Sequence, residues 1–113
     1  MKHKVVLVPF PFDDLSSTKV RPAVCLTEPV GQHKHVVLAF ITSRVPNEPL
    51  PNDLVFPKAS KDFSTTGLRV SSTLQLHRMM TLAPTIIVRE LGTLPESAQK
   101  DVEGKLKLLF GIK

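Results

Sequence analysis

The chain has 113 residues, with 15 Lys and Arg against 10 Asp and Glu, a formal net charge of +5 and a pI near 9.7. At 42% hydrophobic and 22% charged residues, it reads as a soluble, globular chain long enough to bury a core, not as a disordered one. The single cysteine excludes an internal disulfide framework and a cysteine-based zinc site, and no run of about 18 apolar residues is present to span a membrane.

The length fits one domain, residues 1–113. The N-terminal "MKHKVVLVPFPF" is basic and then apolar. It has no small-residue cleavage site, and Pro9 and Pro11 interrupt it, so it is not read as a signal peptide. Val5 to Val8 is a β-branched run and the first expected strand. The "PFPF" that follows ends it, because each proline removes a ladder donor. Asp13 to Lys19 is a polar loop. Arg21 to Thr27 is the second strand and holds Cys25, a small buried hydrophobe in the apolar "AVCL". A reducing, cytoplasmic setting follows from that cysteine usage. "EPVGQHKH" turns the chain into the third strand, Val36 to Thr42.

A proline-rich loop follows, then a short strand at Leu54 to Phe56 and a second polar loop ending at Gly67. From Leu68 to Leu76, Leu68, Val70, Ser72, Leu74 and Leu76 share one face, with Arg69, Ser71, Thr73 and Gln75 on the other. Met79 to Leu82 and Ile86 to Leu91 are further short apolar runs. The period then changes. Ala98, Val102, Leu106, Leu109 and Phe110 recur at helical spacing. Thr93 and Glu96 have capping-box spacing, Pro95 suits a first turn, and Gly111 suits a stop. Gly104 weakens this helix by about 1 kcal/mol relative to Ala. Short strands with Pro- and Gly-rich loops followed by one helix indicate a mainly β fold, a small barrel with a C-terminal helix packed on it.

The basic charge makes a polyanion a candidate partner: nucleic acid, an anionic membrane face or an acidic protein. Charge of this size also serves solubility alone. No phosphate-binding loop, dinucleotide fingerprint or nucleophile elbow is present. His33 and His35 stand two apart in a turn, short of the three or four converging ligands a metal site needs. Few aromatics argue against a stacking platform of the RRM kind, though Phe10, Phe12 and Phe63 fall in loop regions and could contact bases or pack under the loops. What remains is a set of phosphate-compatible residues at strand ends. Arg21 precedes Pro22, which biases it to extended backbone, and its guanidinium can pair bidentately with a phosphate or ion-pair with Asp13 or Asp14. Thr42 offers a hydroxyl, or simply β propensity. Ser43 and Arg44 extend the set or lie solvated in a loop. Lys19, Arg69, His77 and Arg78 add positive or titratable groups, with surface exposure the plain alternative.

The ordered string "VVLVPFPFDDLSSTKVRPAVCL", "VVLAFITSR", "TTGLRVSSTLQLHRMMTL" and "IIVRELGTL" with a final helix resembles the PemK/MazF family of type II toxin–antitoxin toxins, over roughly Lys4 to Ile112. The resemblance implies an SH3-like β-barrel with a C-terminal helix, commonly a homodimer. It implies a sequence-specific endoribonuclease that needs neither metal nor cofactor and cleaves single-stranded RNA, chiefly mRNA, by attack of a 2′-hydroxyl on the adjacent phosphate. A cognate acidic antitoxin would cover the RNA groove. Arg21 and Thr42 match the family's catalytic Arg and Thr, and Lys19, Ser43, Arg44, Arg69, Ser72 and His77 complete the RNA-binding candidates. The chain departs from relatives at Ser71, where they carry Asp, at His77, where some are acidic, and in the loop before Arg21, which lacks their Glu. His77 could then take over proton transfer. A non-cleaving member that binds RNA or antitoxin is the alternative reading.

Overall fold

The computed structural model describes residues 1–10 and 19–113. Asp13, Asp14 and Phe12, and most of the polar loop expected before Arg21, lie outside the described residues. Six strands form one antiparallel sheet: β1 (Lys4–Pro9), β2 (Val20–Cys25), β3 (Val36–Thr42), β4 (Asp53–Phe56), β5 (Ser72–Leu82) and β6 (Arg89–Thr93). Their spatial order is β4-β5-β3-β2-β1-β6, and one helix, α1 (Glu96–Phe110), follows. The mainly β architecture with a C-terminal helix is the expected one, and the curled sheet forms a half-barrel with β4 and β6 as its edges. Among the described residues, no helix is long and apolar enough to cross a membrane.

The sheet is apolar on both faces, and this explains why its strands read as continuous runs. Val5 and Val6 are neighbours in β1 with opposite orientations, and neither is more than 2% exposed. Val5, with Val24, Ala39, Ile41, Leu74 and Leu76, packs on the face that also receives α1 through Ala98 and Val102. Val6, with Val8, Ala23, Cys25, Leu38 and Phe40, packs on the other. Each fully buried aliphatic side chain contributes about 1.5–3 kcal/mol. The two faces together therefore fix the register of the central strands, because a one-residue slip would exchange them.

Strand β5 departs from the expected pattern. The sequence separates Leu68–Leu76 from Met79–Leu82, yet one strand spans Ser72–Leu82, while Leu68 and Val70 precede it and Val70 is exposed. The cause is a register shift against β3: Ala39 pairs with Met79, but Ile41 pairs with Leu74. Residues 75–78 of β5 thus lie opposite the single Phe40. The bulge resets the alternation, so Leu74, Leu76 and Met79 serve one core while Met80 and Leu82 serve the other.

Helix α1 starts without the capping box suggested by Thr93 and Glu96. Thr93 is engaged in β6 opposite Lys4, and the N-cap is Pro95 with no side-chain cap bond. Glu96 still places negative charge in the first turn, where the helix dipole favours it. The end is as expected: Gly111 is left-handed (φ 67), and the N–H groups of Ile112 and Gly111 donate to the carbonyls of Lys107 and Leu108 at 2.8 and 3.3 Å, the Schellman arrangement. Leu106 and Leu109 pack against the core, whereas Phe110, expected on the same stripe, is 60% exposed.

A 3-10 turn at Phe63–Thr66 crosses β6 so closely that a Cβ on Gly92 would collide with the backbone of Thr65 and Thr66. Replacing Gly92 with Ala should therefore destabilise the protein by about 2 kcal/mol or more, read from the midpoint of urea unfolding. Burial pushes the Cys25 thiol up to about 11, so little thiolate exists at pH 8. Iodoacetamide should leave Cys25 unmodified in the native protein at that pH and label it on unfolding.

Candidate functional site

The candidate residues are gathered by strand register. In the β2–β3 ladder Cys25 pairs with Leu38 and Ala23 with Phe40. All four side chains lie on the face of the second core. The two-residue period carries the next pair, Arg21 and Thr42, onto that same face at the rim of the sheet. Strand β1 brings a third element. Val8 pairs with Arg21, and the Phe10 N–H donates to the Lys19 carbonyl at 3.1 Å, so Phe10 and Lys19 face each other one step beyond.

Phe10 organises this rim. Its ring meets the Phe40 ring edge-on at 5.0 Å and 82°, which anchors it to a residue only 1% exposed. The guanidinium carbon of Arg21 lies 5.2 Å from the Phe10 centroid and that of Arg78 lies 5.5 Å from it. Both distances are in the cation–π range. Arg78 reaches this point because the bulge in β5 turns it onto the second-core face.

Thr42 and the segment after it are pinned by hydroxyls. Thr42 Oγ1 accepts the Arg44 N–H at 3.3 Å, and the buried Thr73 donates from Oγ1 to the Arg44 carbonyl at 2.8 Å. Because Thr42 accepts there, its own O–H proton is left to donate into the space it borders. That space is an open cleft of about 810 Å³, bordered by Phe10, Arg21, Thr42, Ser43, Arg44, Gln75 and Arg78 among others. A second cleft of about 360 Å³ lies on the far side of Arg21 and Ser43, which border both. Arg69, Ser72 and Arg89 border the second cleft, with Leu7, Pro22 and Leu68 supplying apolar wall. No Asp or Glu is among the described residues bordering either one.

The expected residues are therefore distributed unevenly. Arg21, Thr42, Ser43 and Arg44 meet in the larger cleft, while Lys19 is exposed and borders neither cleft, its carbonyl tied to the rim by the bond from Phe10. Arg69 and Ser72 belong to the smaller one, where Ser72 is 3% exposed and its hydroxyl donates to the Val70 carbonyl at 2.8 Å. His77 borders neither. Its Nδ1 sits 2.9 Å from the Asn52 amide nitrogen, so the geometry provides no route for the proton transfer expected of it. Ser71 is a structural hydroxyl, accepting the Lys58 N–H at 2.8 Å. Sequence reasoning left out Gln75 and Arg89, and it named Arg78 only as a further positive group and Phe10 only as a loop aromatic. The broken alternation of β5 concealed the face that Arg78 takes, while the place of Phe10 two residues beyond Val8 carries it to the cleft.

The chemistry on offer is anion binding. Guanidinium groups and hydroxyl donors around one opening suit the oxygens of a phosphodiester. An Arg stays protonated to about pH 12, so Arg21 can neutralise charge in a transition state far better than it can accept a proton. No group of three or more His, Cys, Asp or Glu is placed to hold a metal ion among the described residues.

Residues 2–110 match the family profile described as PemK-like, MazF-like toxin of type II toxin–antitoxin system. No curated protein sequence matches the chain at a significant level. Similar solved structures include the Mycobacterium tuberculosis toxin MazF-mt6, 19% identical with a TM-score of 0.74, covering 97% of this chain and 98% of that one. An endoribonuclease in complex with its cognate antitoxin from a mycobacterial species is 11% identical with a TM-score of 0.72, covering 100% and 96%. A MazE–MazF structure from Deinococcus radiodurans is 18% identical with a TM-score of 0.68, covering 99% and 95%. At these identities the structural likeness carries the fold alone.

The Thr73 hydroxyl is the buried tie that holds the segment after Thr42. Thr73→Val should cost about 1–3 kcal/mol, since it orphans the Arg44 carbonyl. Urea unfolding measures the loss, and amide hydrogen exchange should quicken at Ser43 and Arg44 before it does in β3.

Proposed function

The chain belongs to the PemK-like, MazF-like toxin family of type II toxin–antitoxin systems, and from that premise we propose that it is a sequence-specific, metal-independent endoribonuclease acting on single-stranded RNA, mRNA in the cell. The observation that carries the reading is the meeting of Arg21 and Thr42, from two strands, in one cleft bordered by further arginines. Residues 1–113 are read as one toxin domain working in the cytoplasm.

The reaction follows from what those groups can do. The ribose 2′-oxygen attacks the adjacent phosphorus, forming the O2′–P bond as the P–O5′ bond breaks. The 2′ proton is lost and the departing 5′ oxygen is protonated. Arg21 neutralises the extra charge on the phosphorane oxygens, and the Thr42 O–H donates to one of them. The products are a 2′,3′-cyclic phosphate, or the 3′-phosphate after its hydrolysis, and a 5′-hydroxyl. Use of the 2′-hydroxyl restricts the substrate to RNA. Lys19, Ser43 and Arg44 would hold the strand along the larger cleft, with Arg69 and Ser72 continuing it into the smaller. The basic clefts also suit an acidic antitoxin, and a cognate antitoxin is the partner named for the mycobacterial structure above. A homodimer is part of this reading.

One observation favours a second reading. His77 is turned to Asn52 and Ser71 is tied to Lys58, so no side chain that titrates near neutral pH borders the described part of the larger cleft. A member that binds RNA or antitoxin without cutting would have this feature too.

The test is incubation of a long single-stranded RNA with the purified protein in EDTA. Discrete fragments with 5′-hydroxyl ends are expected, with rates lowered about 100-fold or more by Arg21→Ala, the usual scale for losing a transition-state donor. Thr42→Ala should also slow cleavage strongly. RNA left intact across varied sequences by folded, antitoxin-free protein would turn the assignment to the non-cleaving module.

A further inference from the structure

The Phe10 ring holds two guanidinium groups, and the reaction above employs only one. The carbons of Arg21 and Arg78 lie 5.2 and 5.5 Å from the same centroid. The ring's electron-rich face draws both cations to one place. Two guanidinium groups gathered at one cleft suit neighbouring phosphates of a single strand. Placement agrees. Both arginines border the larger cleft beside Thr42 and Ser43, and both are half-buried, so their charges are screened less than those of surface side chains. The bulge is what makes this possible: residues 75–78 of β5 stand opposite Phe40 alone, and without it the period of Leu74 and Leu76 would point residue 78 into the first core.

We propose that Arg78 is a second phosphate-binding residue, taking the phosphate next to the one under attack, and that Phe10, braced edge-on by Phe40, positions Arg78 and Arg21 as a pair matched to neighbouring phosphates of one RNA strand. The proposal rests on the RNA-cleaving reading and deepens it. Arg21 faces the reacting phosphate, so its loss lowers the rate of the chemical step. Arg78 faces a spectator phosphate, so its loss weakens binding in ground and transition states alike, raising KM with kcat little changed. Phe10→Leu keeps an apolar plug over Phe40 but removes the aromatic face, and it should impair both properties.

The probe is a single-stranded RNA oligonucleotide with one 2′-deoxy sugar at the cleavage position, titrated over a range of salt concentrations against wild type, Arg78→Gln, Arg78→Lys and Phe10→Leu. Arg78→Gln should bind about tenfold more weakly, the factor equal to 1.4 kcal/mol. The slope of log K against log salt should become shallower by about 0.7, the share of one phosphate contact on a single strand. Arg78→Lys should restore the slope but not the full affinity, since an ammonium lacks the bidentate fork. The melting temperature of each variant is measured alongside. Unchanged affinity and slope in Arg78→Gln would overturn the proposal, and so would a lowered melting temperature with the slope intact, which marks a purely structural arginine. If wild type binds the oligonucleotide yet never cuts RNA, the cleavage reading falls, and the slope comparison still decides the part played by Arg78. A wild type that binds no RNA overturns both.

Discussion

The rest of the molecule depends on the antiparallel register of β2 against β3. Cys25 opposite Leu38 and Ala23 opposite Phe40 are core pairs, each buried at or near 0% exposure. The same alternation, run two residues further, delivers Arg21 and Thr42 to a common face where the sheet meets solvent. The site is the continuation of the core into water. Nothing in Arg21 or Thr42 themselves enforces their proximity. The buried pairs do so, because slipping either strand by one residue would place Ala23 and Phe40 on opposite faces and open both cores.

The other elements refine that rim. β1 leads into Phe10, whose ring is seated on Phe40 and carries two guanidinium groups. β5 contributes a bulge that turns Arg78 toward the cleft and His77 away from it, in keeping with the frequent use of bulges to re-aim side chains beside functional sites. Thr73, in the same strand, fastens the Arg44 carbonyl from below. Rigid strands thus position the guanidinium and hydroxyl groups, so that the proposed reaction would need little reorganisation.

Much of this was legible in the sequence, for physical reasons that differ by element. Val36–Thr42 was read with its observed limits, because a fully buried strand shows as an unbroken apolar run flanked by polar turns. The helix was legible from its period and from Gly111. Thr93 misled because its spacing to Glu96 is a helix signal, whereas the ladder to Lys4 claimed it first. β5 was read as two runs because a bulge leaves no residue-type signature, and the alternation that places Leu74 and Leu76 in one core breaks before Met79. Arg78 was therefore read only as a further positive group, and His77, turned to Asn52, was given a role that its position does not serve. Arg21 and Thr42 were each open to plainer explanations on composition and spacing. Their pairing came from the family resemblance, and the observed register now gives it a physical cause.

The central claim is that Arg21 and Thr42 act on one phosphate as a unit set by strand register. A double-mutant cycle tests it most directly, using affinity for the 2′-deoxy oligonucleotide with Arg21→Gln, Thr42→Val and the double variant. Residues that share a phosphate should be coupled, with the double variant losing less than the two single losses combined by about 0.5–3 kcal/mol. Strictly additive losses would mean that the two side chains serve separate contacts, and would contradict a site in which they share one phosphate.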